Sequence, residues 1–447
     1  MSMQTQANTV HVSHTGLMVY STLCMMAVAA VLLTHWPTYN HLVWGGTELF
    51  WYYAAVLLLI VPVVFAEPDR AVRFVKDPLF WWLMVYVLSG LLWLSLAQDF
   101  SKEGLERWRP RLAALGLFFS IALLSSEARR GWITLVIVAC VVFACATTWF
   151  DVLRPSRFIP KEFENASVGR GAGLFINPNV AGSFIAAATI VALPFVPMRF
   201  RGPLILCAAV GIVPTFSRSS YLYGAMLLVA PIVLRLLNRS QAAFVLIVTP
   251  LLVMALAASY DFLMASSDDQ NLHNVVRRLE WFQGLEPEDE AVEGRLYGAA
   301  QAWKMFLDSP IVGGGLGATM VEAVVGEGPH NMYLMLMGEQ GFFGLVLYLA
   351  LIVILLRTGV RLLRTSDDHG RDVGRSMLLF AAMLFLWGFF DHNVLEQPFT
   401  MFLIGFVAAA AFAAPRFGPA YVHVSAPLSD FRRPQRTPSV TPRAGSS

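Results

Sequence analysis

Long apolar runs, broken by short polar segments, fill most of the chain. Runs of about the length that crosses a bilayer as a helix, roughly 17–25 residues, fall near 17–34, 47–65, 79–97, 111–126, 132–150, 173–197, 203–217, 219–237, 242–259, 331–356, 376–392 and 398–414. Backbone groups in lipid must bond within their own segment, and no alternating strand pattern is present, so these runs predict helices. The expectation is an all-α integral membrane protein with about twelve transmembrane helices. The pair 203–217 and 219–237 is the least separated, because the two share the turn "TFSRSSY". One long segment, 260–330, divides the first nine spans (1–259) from the last three (331–414), and a tail follows at 415–447. The tail is rich in Pro, Ser, Thr and Arg, has little to bury, and predicts disorder with some affinity for anionic lipid.

Composition agrees with the pattern. The chain is 57% hydrophobic and 14% charged, with mean hydropathy +0.60. A soluble domain carries about 25% charged residues. The net charge of +2 implies no nucleic-acid partner. Cys24, Cys140, Cys145 and Cys207 all lie in apolar runs, without zinc-site spacing. The first sixteen residues hold no Lys or Arg, so they lack the charged start of a signal peptide, and the first span is expected to be retained.

Sidedness follows from Lys and Arg in alternate loops. One set of loops holds most of them, including Arg70, Arg129, Arg199, Arg235, Arg361 and the tail. That set predicts the cytoplasmic side, with both termini inside, and places 260–330 outside. Within it "GRLYGAAQAWKMFLD" puts Leu296, Ala299, Trp303 and Phe306 on one helical face, predicting an amphipathic helix packed on the tops of the spans. "DSP" and the glycines from Gly313 to Gly317 end it.

The outer side then carries more basic residues than sidedness favours. Arg170 precedes the sixth span, Arg218 follows the seventh and Arg295 lies in the long loop. His330, with Asn331 behind it, stands at the start of the tenth span, and Asp391 ends the eleventh. A single such Arg is explained by snorkelling to headgroups or by pairing with an acid such as Asp391. Several together with a histidine favour an anionic ligand, because guanidinium meets phosphate oxygens two at a time. His330 fits either a helix-start histidine bonded to a carbonyl or a proton acceptor near neutral pH. Asn177-Pro178-Asn179 fits either a helix break that exposes backbone to a ligand or a plain cap. No HExxH, Cys/His cluster or GxxxxGK[ST] occurs, so no metal and no cofactor is implied. The aspartate pairs in "SDDQ" and "SDDH" read as solvated loop.

On these residues the sequence resembles the bacterial O-antigen ligases and, more broadly, the ligase/polymerase superfamily of lipid-linked glycan enzymes. The matching pieces are "GLFINPNVAGSF", "TFSRSSYLYGAMLL", "EGRLYGAAQAWKMFLDSPIVGGGLG", "GPHNMYLMLMGEQGFFG" and "DHNVLEQP", within roughly 170–400. The resemblance implies a GT-C-like membrane glycosyltransferase of the bacterial inner membrane with a periplasmic active site. It would transfer a glycan from undecaprenyl diphosphate to a sugar hydroxyl of the lipid A–core. By motif, Arg218, Arg295 and His330 would be catalytic, with Arg170, Asn177, Asn179, Asn331 and Asp391 around the diphosphate and substrate. An O-antigen polymerase or a protein O-oligosaccharyltransferase would share this chemistry. A transporter or flippase for an anionic lipid would want charges near mid-span, and the span interiors here hold almost none.

Overall fold

The computed structural model describes residues 2–96, 102–124, 127–154, 158, 170–266, 289–321, 328–365 and 367–413. The tail, the pair in "SDDQ" and most of 260–288 lie outside the described residues. These described residues hold sixteen α-helices, in order α1 (Ser2–Leu33), α2 (Trp36–Trp44), α3 (Leu49–Ala66), α4 (Pro68–Val75), α5 (Pro78–Leu96), α6 (Lys102–Leu124), α7 (Glu127–Leu153), α8 (Pro178–Ala192), α9 (Met198–Ile212), α10 (Arg218–Val233), α11 (Arg239–Ser266), α12 (Asp289–Asp308), α13 (Ala318–Val321), α14 (Met332–Leu363), α15 (Asp368–Trp387) and α16 (Pro398–Ala413). Among the described residues there is no strand, and seven helices (α1, α3, α5, α7, α8, α9 and α14) are long and apolar enough to cross a membrane. Every predicted run falls on a helix. Those short of the criterion are shorter, as α10 and α16, or carry charge along part of their length, as α6 and α15. Outward faces of the bundle are apolar: Leu58 and Phe65 of α3 and Val233 of α10 are all strongly exposed.

The helix starts are set by local chemistry. Asn177, Ser217, Asn331 and Asp367 each cap a helix with a side-chain oxygen that accepts a backbone N–H in the first turn. The doubtful pair of runs resolves cleanly into α9 and α10, joined by a 3₁₀ turn at Val213–Thr215 and by Phe216 in a left-handed conformation. Arg218 therefore opens α10 and does not close α9. α6 starts well before the predicted span, so Arg107, Arg109 and Arg111 ride on the helix. Asp367 and Asp368 are not simply solvated loop: Asp367 caps α15 and Asp368 pairs with Arg371.

Two ends of the bundle differ in how they treat charge. At one end Arg201, 5% exposed, donates to Asp372 (2.7 Å) and to the carbonyls of Leu236, Val196 and Pro194. Asp372 also receives Arg375 at 2.9 Å. These bonds tie the start of α9, the end of α10 and the start of α15. Removing one partner of a buried pair costs roughly 3–5 kcal/mol. Asp372→Ala should therefore lower the thermal denaturation midpoint of the detergent-purified protein markedly, and an unchanged midpoint would mean that Arg201 is held by its carbonyls alone.

α14 is interrupted at Gly341 (φ 62°, ψ −153°). The Phe342 N–H, which would have bonded Gly338, donates instead to the Pro310 carbonyl (2.7 Å). The freed Gly338 carbonyl accepts from Gly314 (2.7 Å), and that of Glu339 accepts from Gly315 (3.0 Å). The connector after α12 thus repairs the ladder that the break opens, as backbone away from water requires. A β-carbon on Gly341 would lie 2.4 Å from the Ile311 oxygen, so only glycine fits.

Candidate functional site

The other end of the bundle gathers the residues singled out from the sequence. Arg170 donates from Nε to the Thr215 carbonyl (2.9 Å) and from Nη2 to Asn179 Oδ1 (2.7 Å). Gly171 N–H donates to the Pro214 carbonyl (2.6 Å). The start of α8 is thereby fastened to the turn before Arg218. Two turns into α10, the Tyr223 ring meets Phe390, centroids 6.5 Å apart, beyond the end of α15. Met332 N–H donates to the Gly388 carbonyl (2.7 Å), bringing the start of α14 to the same place. The starts of α8, α10 and α14 therefore share one end, and their N-terminal dipoles add positive potential there.

His330 sits two residues before α14 with φ 45°, in the left-handed region. Its ring meets His392 edge-on, centroids 5.4 Å apart. Asp391, one residue earlier, accepts from the Trp387 indole N–H (3.2 Å) and from the Asn393 N–H (2.8 Å). Loss of water pushes the Asp391 carboxyl above the ordinary carboxylate range, opposed by those two donors and by the neighbouring His330. Trp387 is itself buried and stacks on Phe399. Asp391 is thus a fixed acceptor beside the His330–His392 pair.

Arg295 approaches through α12. That helix packs on α14, and a β-carbon on Gly298 would lie 3.3 Å from both the Gly328 oxygen and Pro329 Cα. Arg295, one turn earlier, is exposed, as is Arg218. The packed face of α12 is Gly298, Ala302 and Met305, whereas Leu296 and Trp303 of the expected face are 66% and 45% exposed.

The asparagines have local duties. Asn177 and Asn331 are caps, accepting from Asn179 and Leu334 N–H, and Asn179 holds Arg170. Three contributors were not singled out from the sequence. His392 adjoins Asp391 in the quoted "DHNVLEQP". Asp151, buried near the end of α7, accepts from the Ala172 and Gly173 N–H groups (2.8 and 3.0 Å) and so fixes the turn after Arg170. His35 bonds Gln397 (3.2 Å) and stacks on Phe175, and burial pushes its imidazole down to about 4, keeping it neutral. Asp151's signal was an acid at a span end, in "TTWFDVL".

Residues 203–349 match the family model described as O-antigen ligase. Over that stretch, about a third of its length, the chain is similar to the O-antigen ligase family. The O-antigen ligase domain runs from inside α9 to inside α14 and contains Arg218, Arg295 and His330. Arg170, Asn179, Asp151, Asp391 and His392 lie outside it, yet they close the same end of the bundle. No curated protein matches the chain.

Proposed function

We propose that this protein is an O-antigen ligase of the bacterial inner membrane, with about twelve spans in a GT-C-like arrangement, both termini cytoplasmic and the site facing the periplasm. The observation that carries the reading is the grouping of His330, Asp391 and His392 with Arg170, Arg218 and Arg295 at one end of the bundle, while the tightly paired arginines Arg201 and Arg375 take the other.

The donor is a glycan on undecaprenyl diphosphate, and the acceptor is a sugar hydroxyl of the lipid A–core. Outside the inner membrane no nucleotide supplies energy, so the donor arrives activated through its diphosphate. Arg218 and Arg295 hold the diphosphate oxygens, and Arg170 adds its charge from the turn beside them. The acceptor oxygen attacks the anomeric carbon, and the bond from that carbon to the diphosphate oxygen breaks. His330 takes the hydroxyl proton. Undecaprenyl diphosphate leaves with the electron pair, and the anomeric configuration inverts. The fixed guanidinium groups and helix starts stabilise the charge that grows on the leaving group. Both lipids lie in one leaflet, so side-by-side binding supplies proximity. Asp391 orients His330 and balances the imidazolium formed.

The test is transfer of glycan from undecaprenyl diphosphate to purified lipid A–core by the purified protein. Arg218→Lys and Arg295→Lys should each be impaired far beyond what the retained charge suggests, because a lysine lacks the two-pronged geometry. Near-normal transfer by both lysine variants would exclude paired recognition of the diphosphate.

A further inference from the structure

Arg111 on α6 is 1% exposed, yet none of its three guanidinium nitrogens has a hydrogen-bond partner. A guanidinium does not lose its proton, and a buried charge without a partner is costly. The contrast with Arg201, bonded to one carboxylate and three carbonyls, is sharp. One face of the Arg111 plane is covered by Tyr86 of α5, whose ring centre lies 4.6 Å from Cζ. Its N–H edges are unused. Gly90 of α5 packs closely against the side chain: a β-carbon there would stand only 3.0 Å from Arg111 Cδ, 3.1 Å from Trp108 Cδ1 and 3.4 Å from Arg111 Nη1.

The place of this side chain in the fold gives it a role. Trp93, about one turn along α5 from Gly90, donates its indole N–H to the Val312 carbonyl in the connector that follows α12. Trp93, Leu94 and Leu316 pack together with Leu105 and Trp108. Arg111 is one turn along α6 from Trp108, so it lies just beneath the connector that leads to His330. Leu91 and Leu92, next to Gly90 in the chain, and Leu112, next to Arg111, are exposed. Residue 111 is also outside the O-antigen ligase domain.

We propose that Arg111 anchors a second anion site, between α5 and α6 beneath the connector, that takes the phosphate oxygens of a lipid headgroup. Phosphate matches the fork of N–H groups in two-pronged fashion, and it is the anion that a bilayer supplies. The rival is a carboxylate within the chain. Glu339 on α14 is fully buried, with Oε1 bonded to Thr319 Oγ1 (2.8 Å) and Oε2 without a partner.

Lipid binding by the delipidated, detergent-purified protein tests this. The probes are undecaprenyl diphosphate, lipid A and phosphatidylglycerol, read by native mass spectrometry and by thermal denaturation. Arg111→Met removes an unpaired buried charge, so without lipid it should melt at or above the wild-type temperature. It should lose about tenfold or more in affinity for at least one probe, and Arg111→Lys should fall between. The same loss should appear when Arg218 and Arg295 are both alanine, which separates this site from the one around His330. Loss confined to undecaprenyl diphosphate identifies the donor carrier, and loss confined to lipid A or phosphatidylglycerol identifies that lipid. Equal binding of all three probes by Arg111→Met and wild type would overturn the proposal. So would a lower melting temperature in lipid-free Arg111→Met matched by Glu339→Gln, because the anion would then be inside the chain.

Discussion

Replacing His330 by asparagine should reduce glycan transfer by roughly 100- to 10,000-fold, the usual worth of a positioned general base. Asparagine is the informative substitution because of the backbone. His330 holds φ 45°, a region that asparagine enters more readily than most residues and alanine enters at a cost. His330→Asn therefore keeps the turn into α14 while removing the proton acceptor. Asn331 still caps the helix through Leu334, and Met332 still bonds Gly388, so insertion and melting temperature should match wild type. His330→Ala should lose as much activity and also some stability. Transfer by His330→Asn within a few-fold of wild type would remove His330 as the base. His392, whose ring stands against it, would then be the residue to replace next.

The helices and the gathering of the candidate site residues at one end of the bundle were legible in the sequence, because each rests on local pattern, whereas the caps at Ser217 and Asp367 were not. Apolar runs mark the helices, and Asn-Pro-Asn and His-Asn mark two of the starts. The alternation of loops separated Arg170, Arg218, Arg295, His330 and Asp391 from Arg201, Arg235 and Arg375, and the structure keeps those groups at opposite ends.

What escaped was long-range. α12 shows why an apolar stripe misleads in a membrane protein. The large apolar residues Leu296 and Trp303 stay exposed, while the small residues Gly298 and Ala302 let α12 approach α14 closely. The break in α14 is hidden for another reason. "MGEQGFFG" continues a helical pattern, and only the glycines of the connector, some 25 residues earlier in the chain, supply the bonds that make the break tolerable. Asp151 bonds a segment about 20 residues on, and Arg111 is remarkable only once its burial is known. Neither spacing nor composition carries that information.

Deleting the gene from its host should leave every lipid A–core bare, while long glycan chains accumulate on undecaprenyl diphosphate. The outcome turns on which acceptor the site serves. Arg218, Arg295 and His330 would hold a diphosphate and take a proton in a ligase and in a polymerase alike, so substitutions at the site stop both reactions. The products left behind differ. A ligase is the route from carrier to core, and without it no unit reaches the core, whatever the length of the chains behind it. A polymerase only lengthens chains, and without it single units still pass to the core. Electrophoresis of the extracted lipopolysaccharide reads the difference directly. Bare core with long carrier-linked glycan supports the ligase; a band of core plus one repeat would assign the same chemistry to a polymerase, with a second carrier-linked glycan in place of the lipid A–core as acceptor.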